Sequence, residues 1–244
     1  MKILGIESAA MTASAAVWED DRIVAEYTTD YKKTHSQTLL PMIAAIRDMI
    51  ELDLESLDGI AVSGGPGSFT GLRIGSTTAK GLGLALDKPL IHVPTLDAMA
   101  YQAFGTDMLI LAMLDARKGF VFAGIYTNTV EDGFQVVKPA HHISISDLAA
   151  ELDELAGENE HCVLMIGDGA DAYGNQLQEM MQHKAIKAPS FSRRARAGAV
   201  AALGAVMYAQ GLTETAAAHA PDYLRVSQAE RQMEKARAEG VLKD

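Results

Sequence analysis

The chain has 244 residues, 48% of them hydrophobic, and a formal net charge of −11, enough to bury a core as one large domain or two lobes of about 100 to 120 residues. The acidic balance argues against a strong free-standing nucleic-acid binder, which needs clustered Lys and Arg against phosphate; the best basic cluster, Arg193, Arg194 and Arg196, reads as a solvated helix start. One cysteine, Cys162, rules out an internal disulfide framework and suits a reducing cytosol, and with neither a signal-like leader nor a run near the roughly 18 apolar residues of a membrane span, a cytoplasmic protein is expected.

In chain order, residues 2–6 read as a buried strand, and 12–18 and 23–27 as two more around the turn Glu19-Asp20-Asp21. A helix follows from about residue 35 or 36 to 51, with Leu39, Met42, Ile43, Ile46, Met49 and Ile50 at helical spacing. Pro41 falls in its first turns, where a missing N–H costs little. Next come a strand at 58–63, a glycine-rich turn, a helix at 69–86, a strand at 90–93, and a helix from Thr95, a good N-cap.

After Gly105 the order restarts, with strands at 108–114, 119–126 and 134–137, a helix from Ser146 and a strand at 162–166. Cys162 stands against that last apolar run and reads as a buried, inert thiol. Gly167-Asp-Gly-Ala then takes the place of the first glycine turn, so the element order predicts two copies of one βββαβα unit, an α/β chain with a mixed sheet in each lobe. An Ala-rich helix from about 192 to 210, ended by Gly211, and an ordered loop at 220–225 close the second copy. The expected division is a lobe at 1–105, a lobe at 106–225, and a helical or flexible tail at 226–244, with Val226, Ala229, Met233 and Ala236 at helical spacing.

The stretch 63–75, Ser-Gly-Gly-Pro-Gly-Ser-Phe-Thr-Gly-Leu-Arg-Ile-Gly, is the most informative. An apolar strand runs into a glycine turn that opens a helix, the place where backbone N–H groups cradle an anion. It lacks the Gly-Lys-Ser/Thr ending that sets a lysine on a phosphate. Ser63 and Ser68 are not in Gly-x-Ser-x-Gly order, so Ser68 reads as a helix N-cap rather than a nucleophile. The seven histidines include no pair at i, i+4, and no Cys-x-x-Cys exists, so no protein-made metal site is expected.

Two surfaces invite a contact. Gly71, Gly75, Ala79 and Gly83 recur every four residues along the 69–86 helix. Each helical glycine costs about 0.8 to 1 kcal/mol relative to alanine, so this smooth stripe calls for close backbone approach, either by the sheet of its own lobe or by a helix of another subunit. On the 36–51 helix the apolar residues, Leu40 and the methionines among them, exceed one buried face.

Two βββαβα lobes with glycine turns resemble the actin, sugar kinase and Hsp70 ATPase superfamily, in which nucleotide lies between lobes. More narrowly, Ile3-Leu-Gly-Ile-Glu-Ser8, His35-Ser-Gln-Thr-Leu-Leu-Pro41, Ser63-Gly-Gly-Pro-Gly-Ser-Phe-Thr-Gly-Leu-Arg73 and Leu114-Asp-Ala-Arg117 resemble the TsaB family, formerly YeaZ, over essentially 1–225. The resemblance implies a non-catalytic paralogue of TsaD, the transferase of tRNA threonylcarbamoyladenosine synthesis, whose metal-binding His-x-x-x-His pair is missing here. It implies a homodimer when alone, a heterodimer with a TsaD-like transferase, a TsaE-like ATPase in the larger assembly, and only indirect contact with tRNA. The implied interface is Leu39, Leu40, Met42, Ile43 and Ile46 with Leu72, Arg73, Gly75, Ser76 and Ala79. Gly64, Gly65, Pro66, Gly67 and Ser68 would be a vestigial phosphate loop, because Glu7-Ser-Ala-Ala-Met-Thr12 has no glycine where the superfamily's first hairpin meets phosphate. No cofactor is expected beyond weak ATP or ADP binding, and the competing expectation is an actin-like ATPase or glycopeptidase-like hydrolase.

Overall fold

The structure is a computed structural model that describes residues 1–31, 34–157 and 162–224. Its first half builds β1 (Lys2–Glu7), β2 (Ala13–Glu19), β3 (Arg22–Thr29), α1 (His35–Met49), β4 (Gly59–Gly65), α2 (Phe69–Leu86), β5 (Leu90–Pro94) and α3 (Thr95–Tyr101). The second half builds β6 (Thr106–Arg117), β7 (Phe120–Thr129), β8 (Gly133–Ser144), α4 (Ile145–Ala156), β9 (Val163–Ile166), α5 (Asp168–Met180), β10 (Ala185–Lys187) and α6 (Ala197–Ala209). The sheet orders β3-β2-β1-β4-β5 and β8-β7-β6-β9-β10 are the same arrangement twice. In each, the first three strands are antiparallel and the last two run parallel to the first. This is the two-lobed α/β fold with mixed sheets that the element order implied, each copy carrying a fifth, parallel strand.

Strand alternation distributes the core. Leu4 and Ile6 of β1 face α1 and α2, where Leu39, Met42, Ile43, Ile46, Ile60, Val62 and Ala79 join them. Ile3 faces the other way, into a layer with Ala61, Val93, Val200 and Ala201 of α6. In the second lobe, α4 and α5 cover one face of the sheet through Leu148, Leu152 and Leu177. The other face receives Leu96, Met99 and Ala100 of α3.

Helix α6 corrects the expected division of the chain. It follows the second sheet in sequence but lies on the first, against β1, β2, β4 and β5. Glycines permit that approach: a Cβ on Gly5 would stand 2.4 Å from the Ala197 carbonyl oxygen, and one on Gly204 would stand 2.5 Å from Ala61 Cβ. The chain therefore returns to its first lobe before residue 224, and the 106–225 segment is not one body. The tail expected at 226–244 lies outside the described residues.

Three local expectations change as well. Pro41 sits inside α1 with its ring exposed, so the hydrogen bond it removes falls on the solvent side. Thr95 is the first residue of α3 rather than its cap, and its hydroxyl accepts from Gly65 N–H at 3.2 Å. The Ala-rich helix starts at Ala197, not at residue 192, and the three arginines before it lie in the segment leading into it, paired with acids.

Candidate functional site

A cleft of about 840 Å³ opens between the lobes, lined on one side by Ala9, Ala10, Met11 and Gly67–Phe69 and on the other by Asp115, Asp168 and Asp171, with Arg194 and Tyr223 at its margin. The strands deliver these groups in the same way from each half: β1 ends at Glu7 and β6 runs through Asp115, while β4 enters the glycine turn and β9 enters Gly167. Of the candidate loop Gly64, Gly65, Pro66, Gly67 and Ser68, the last two line this cleft, and the first three lead into it from the end of β4.

The loop is filled by its own chain. Ser68 N–H donates to the Ala9 carbonyl at 2.7 Å, and a Cβ on Gly67 would stand 2.5 Å from that same oxygen. Gly65 N–H donates to Thr95, and Gly71 N–H to the Ser68 side chain at 3.3 Å, which makes Ser68 the N-cap of α2 as expected. In the second half, Gly167 N–H donates to the Arg193 carbonyl at 2.8 Å. The amides of Gly65, Ser68, Gly71 and Gly167 are thus spent on protein acceptors. Over the loop lies a strap, residues 220–224: Asp222 N–H donates to Gly64 O at 2.7 Å, and the Tyr223 ring meets Phe69 at 4.8 Å. Arg73 completes the stack, its guanidinium 4.0 Å from the centre of the Phe69 ring.

Glu7 is fully buried, its Oε1 accepting from Ala9 N–H at 2.7 Å and Ala10 N–H at 3.1 Å. Burial pushes its carboxyl up to about 7, against the lowering effect of those amides. Asp168 is also raised by burial, while its Oδ1 accepts from Asp115 N–H at 2.9 Å. These two carboxylates are held by backbone amides, and a side-chain hydrogen bond from Ser63 also acts to lower the Glu7 carboxyl.

The arginines are ion-pair anchors, not a solvated helix start. Arg194 reaches Asp30 in the first lobe at 3.0 Å and Asp171 on α5 at 2.7 Å. Arg193 reaches Asp171 at 3.0 Å, and Arg196 pairs with Glu26. Cys162 is half-buried and free, at the edge of β9.

The ten residues expected at an interface divide unevenly. Leu39, Met42, Ile43, Ile46, Leu72 and Ala79 are buried in the first lobe's core, and Gly75 and Ser76 are buried on the same side of α2. The glycine stripe faces inward: a Cβ on Gly71 would stand 2.0 Å from the Ser8 carbonyl oxygen, and one on Gly75 would stand 2.3 Å from Ser8 Oγ. Of the ten, Leu40 and Arg73 are exposed. The outer faces of α1 and α2 instead present Leu40, Met49, Thr77, Gly81 and Leu84.

The structure also assembles a group that spacing along the chain does not show. His92 on β5 meets Glu214 and His219, with one donor atom from each within 4.8 Å of the others. The i, i+4 search misses it because its two histidines lie far apart in the chain.

The family model described as TsaD, tRNA N6-adenosine threonylcarbamoyltransferase, matches residues 22–233. The tRNA threonylcarbamoyladenosine biosynthesis protein TsaB of Bacillus subtilis is 31% identical across 94% of this chain and 96% of its own length. The Escherichia coli protein of the same name is 29% identical across 92% of this chain and 95% of its own. Among solved structures, a Pseudomonas aeruginosa protein described as similar to the peptidase YeaZ superposes with a TM-score of 0.76 at 25% identity, covering 92% of this chain and 99% of that one. With the doubled sheet order and near full-length coverage, the chain belongs to the TsaB (YeaZ) branch of the TsaD family.

Proposed function

We propose that this chain serves the biosynthesis of threonylcarbamoyladenosine in tRNA as a non-catalytic subunit that docks on a TsaD-like transferase. Its kinship to proteins named for that pathway supports the pathway. The observation that supports the non-catalytic part is the Ala9 carbonyl on Ser68 N–H at 2.7 Å, which occupies an amide that a bound phosphate would need. ATP or ADP then binds weakly or not at all, and the outer faces of α1 and α2 carry the partner. The same faces pair two copies when the transferase is absent, a TsaE-like ATPase joins the assembly, and tRNA is met only through the transferase.

Native mass spectrometry of this chain mixed with the TsaD-like protein of its own organism tests the reading. A heterodimer is expected, lost in Leu40→Arg and in Thr77→Arg, two exposed positions. Gly75→Arg is the wrong probe, since its side chain would collide with Ser8 inside the lobe. Absence of a complex, or a complex indifferent to both outer-face variants, overturns the docking claim. Calorimetry with ATP and Mg2+ on the isolated chain tests the rest, and micromolar binding with turnover overturns it.

A further inference from the structure

We propose that His92 and His219, with Asp222 at the rim and Glu214 behind His219 as the carboxylate that orients its ring, bind one divalent transition-metal ion, Zn2+ being the ion whose ligand preferences the set fits. His219 is 2% exposed, its Nδ1 lies 2.7 Å from Glu214 Oε1, and its buried Nε2 has no hydrogen-bond partner. A buried imidazole with one nitrogen fixed by a carboxylate and the other unused is the arrangement that holds a ligating histidine in one tautomer. Its ring stands 5.6 Å from that of His92, centre to centre, and His92 Nε2 lies 3.2 Å from Asp222 Oδ2. Two imidazoles and the Asp222 carboxylate select Zn2+ and its neighbours over Mg2+ or Ca2+, which prefer all-oxygen sets. Two carboxylates would also balance the ion's charge.

The backbone of each of these residues is held in place without an ion. His92 lies in β5, paired with Val62 of β4, and its ring rests on Gly64, where a Cβ would stand 2.2 Å away. Glu214 and Leu90 exchange both backbone hydrogen bonds at 2.9 Å. His219 sits one turn later, its N–H on the Thr215 carbonyl at 3.1 Å and its own carbonyl on Lys80 Nζ at 2.8 Å. Asp222 is tied to Gly64 by its amide. An ion here would staple β5 to segment 214–222, the segment that continues into the strap over the glycine loop.

The test uses the full-length chain without an affinity tag, stripped with EDTA and titrated with ZnCl2 by calorimetry, with Mg2+ as the contrast. One Zn2+ per chain and no saturable Mg2+ uptake are expected, with affinity weakened by about tenfold or more in His92→Gln and in His219→Gln. His219 is buried, so its variant is informative only if its circular dichroism matches wild type; His92 is partly exposed and is the deciding position. Lack of one-to-one Zn2+ uptake by the wild-type chain, or uptake unchanged in a folded His92→Gln, overturns the assignment.

Discussion

Glycines 71 and 81 lie on the same helix, and the same substitution should act on them with opposite sign. At Gly71 an added Cβ falls 2.0 Å from the carbonyl oxygen of Ser8, a fully buried residue. The obstacle is backbone, and Ser8 is tied down further by its Oγ, which donates to Gly71 O at 2.8 Å. No rotamer change relieves the overlap, so Gly71→Ala belongs at the upper end of overpacking, about 3 kcal/mol. Replacing glycine by alanine returns at most about 1 kcal/mol of helix propensity. The net loss is about 2 kcal/mol. At Gly81 an added Cβ meets nothing within 4 Å, so only the propensity gain of about 1 kcal/mol remains. The two variants should differ by about 3 kcal/mol. Urea unfolding measures this as opposite shifts in midpoint with an unchanged slope. For a chain of this size each kcal/mol also moves the thermal midpoint by about 2 to 4 °C. A Gly71→Ala protein as stable as wild type, or two variants shifting the same way, would refute the claim that the stripe is spent on Ser8.

Other consequences can be measured in the same way. Glu7 is held near 7 by burial against an ordinary 4.5, so between those values the folded chain keeps a proton that the unfolded chain has released. The Glu7 contribution to stability should therefore fall as pH rises from 4.5 to about 7, and Glu7→Gln, which lacks this decline, should gain on wild type by about 3 kcal/mol across that range. Urea midpoints at both ends of that range decide it, and parallel declines in the two proteins would contradict it. Arg194→Ala removes the link between Asp30 and Asp171 and should cost about 1 kcal/mol, less in high salt; a salt-independent loss would point away from an ion-pair role. Ser68→Ala deletes the cap on Gly71 N–H and should cost about 1 kcal/mol, checked by the same midpoints, with no change expected if the cap is dispensable.

Much of the architecture was legible in the sequence because it rests on short-range signals. The 69–86 helix is announced by the Ser68 cap, and the structure places it at Phe69–Leu86. The doubling of the unit was readable from element order, since a strand–turn–helix step marks each half at Gly64 and Gly167. What a side chain or a smooth stripe faces is a different matter. Gly71, Gly75 and Ala79 have the same spacing whether they meet a partner or their own β1–β2 turn, and only the position of Ser8 decides. The Arg193, Arg194 and Arg196 cluster failed for the same reason, because Asp30, Asp171 and Glu26 are remote in sequence. Strand β10 has only three residues, too few for alternation to register.

These long-range contacts converge on one part of the molecule. α6 crosses back to the first sheet, Arg194 ties the lobes together, and the 214–224 segment comes to rest on Gly64 and Phe69. The glycine loop is thereby enclosed from two sides, by the Ala9 carbonyl on its cleft side and by Asp222 above Gly65, where a Cβ would stand 2.3 Å from the Asp222 carbonyl oxygen. Its glycines are required for close approach of backbone, the property that also lets such loops take phosphate. Here the approaching backbone is the chain's own. A loop of this composition is therefore no guide to nucleotide use until the partners of its amides are known, and in this chain Gly65, Ser68 and Gly71 already have theirs.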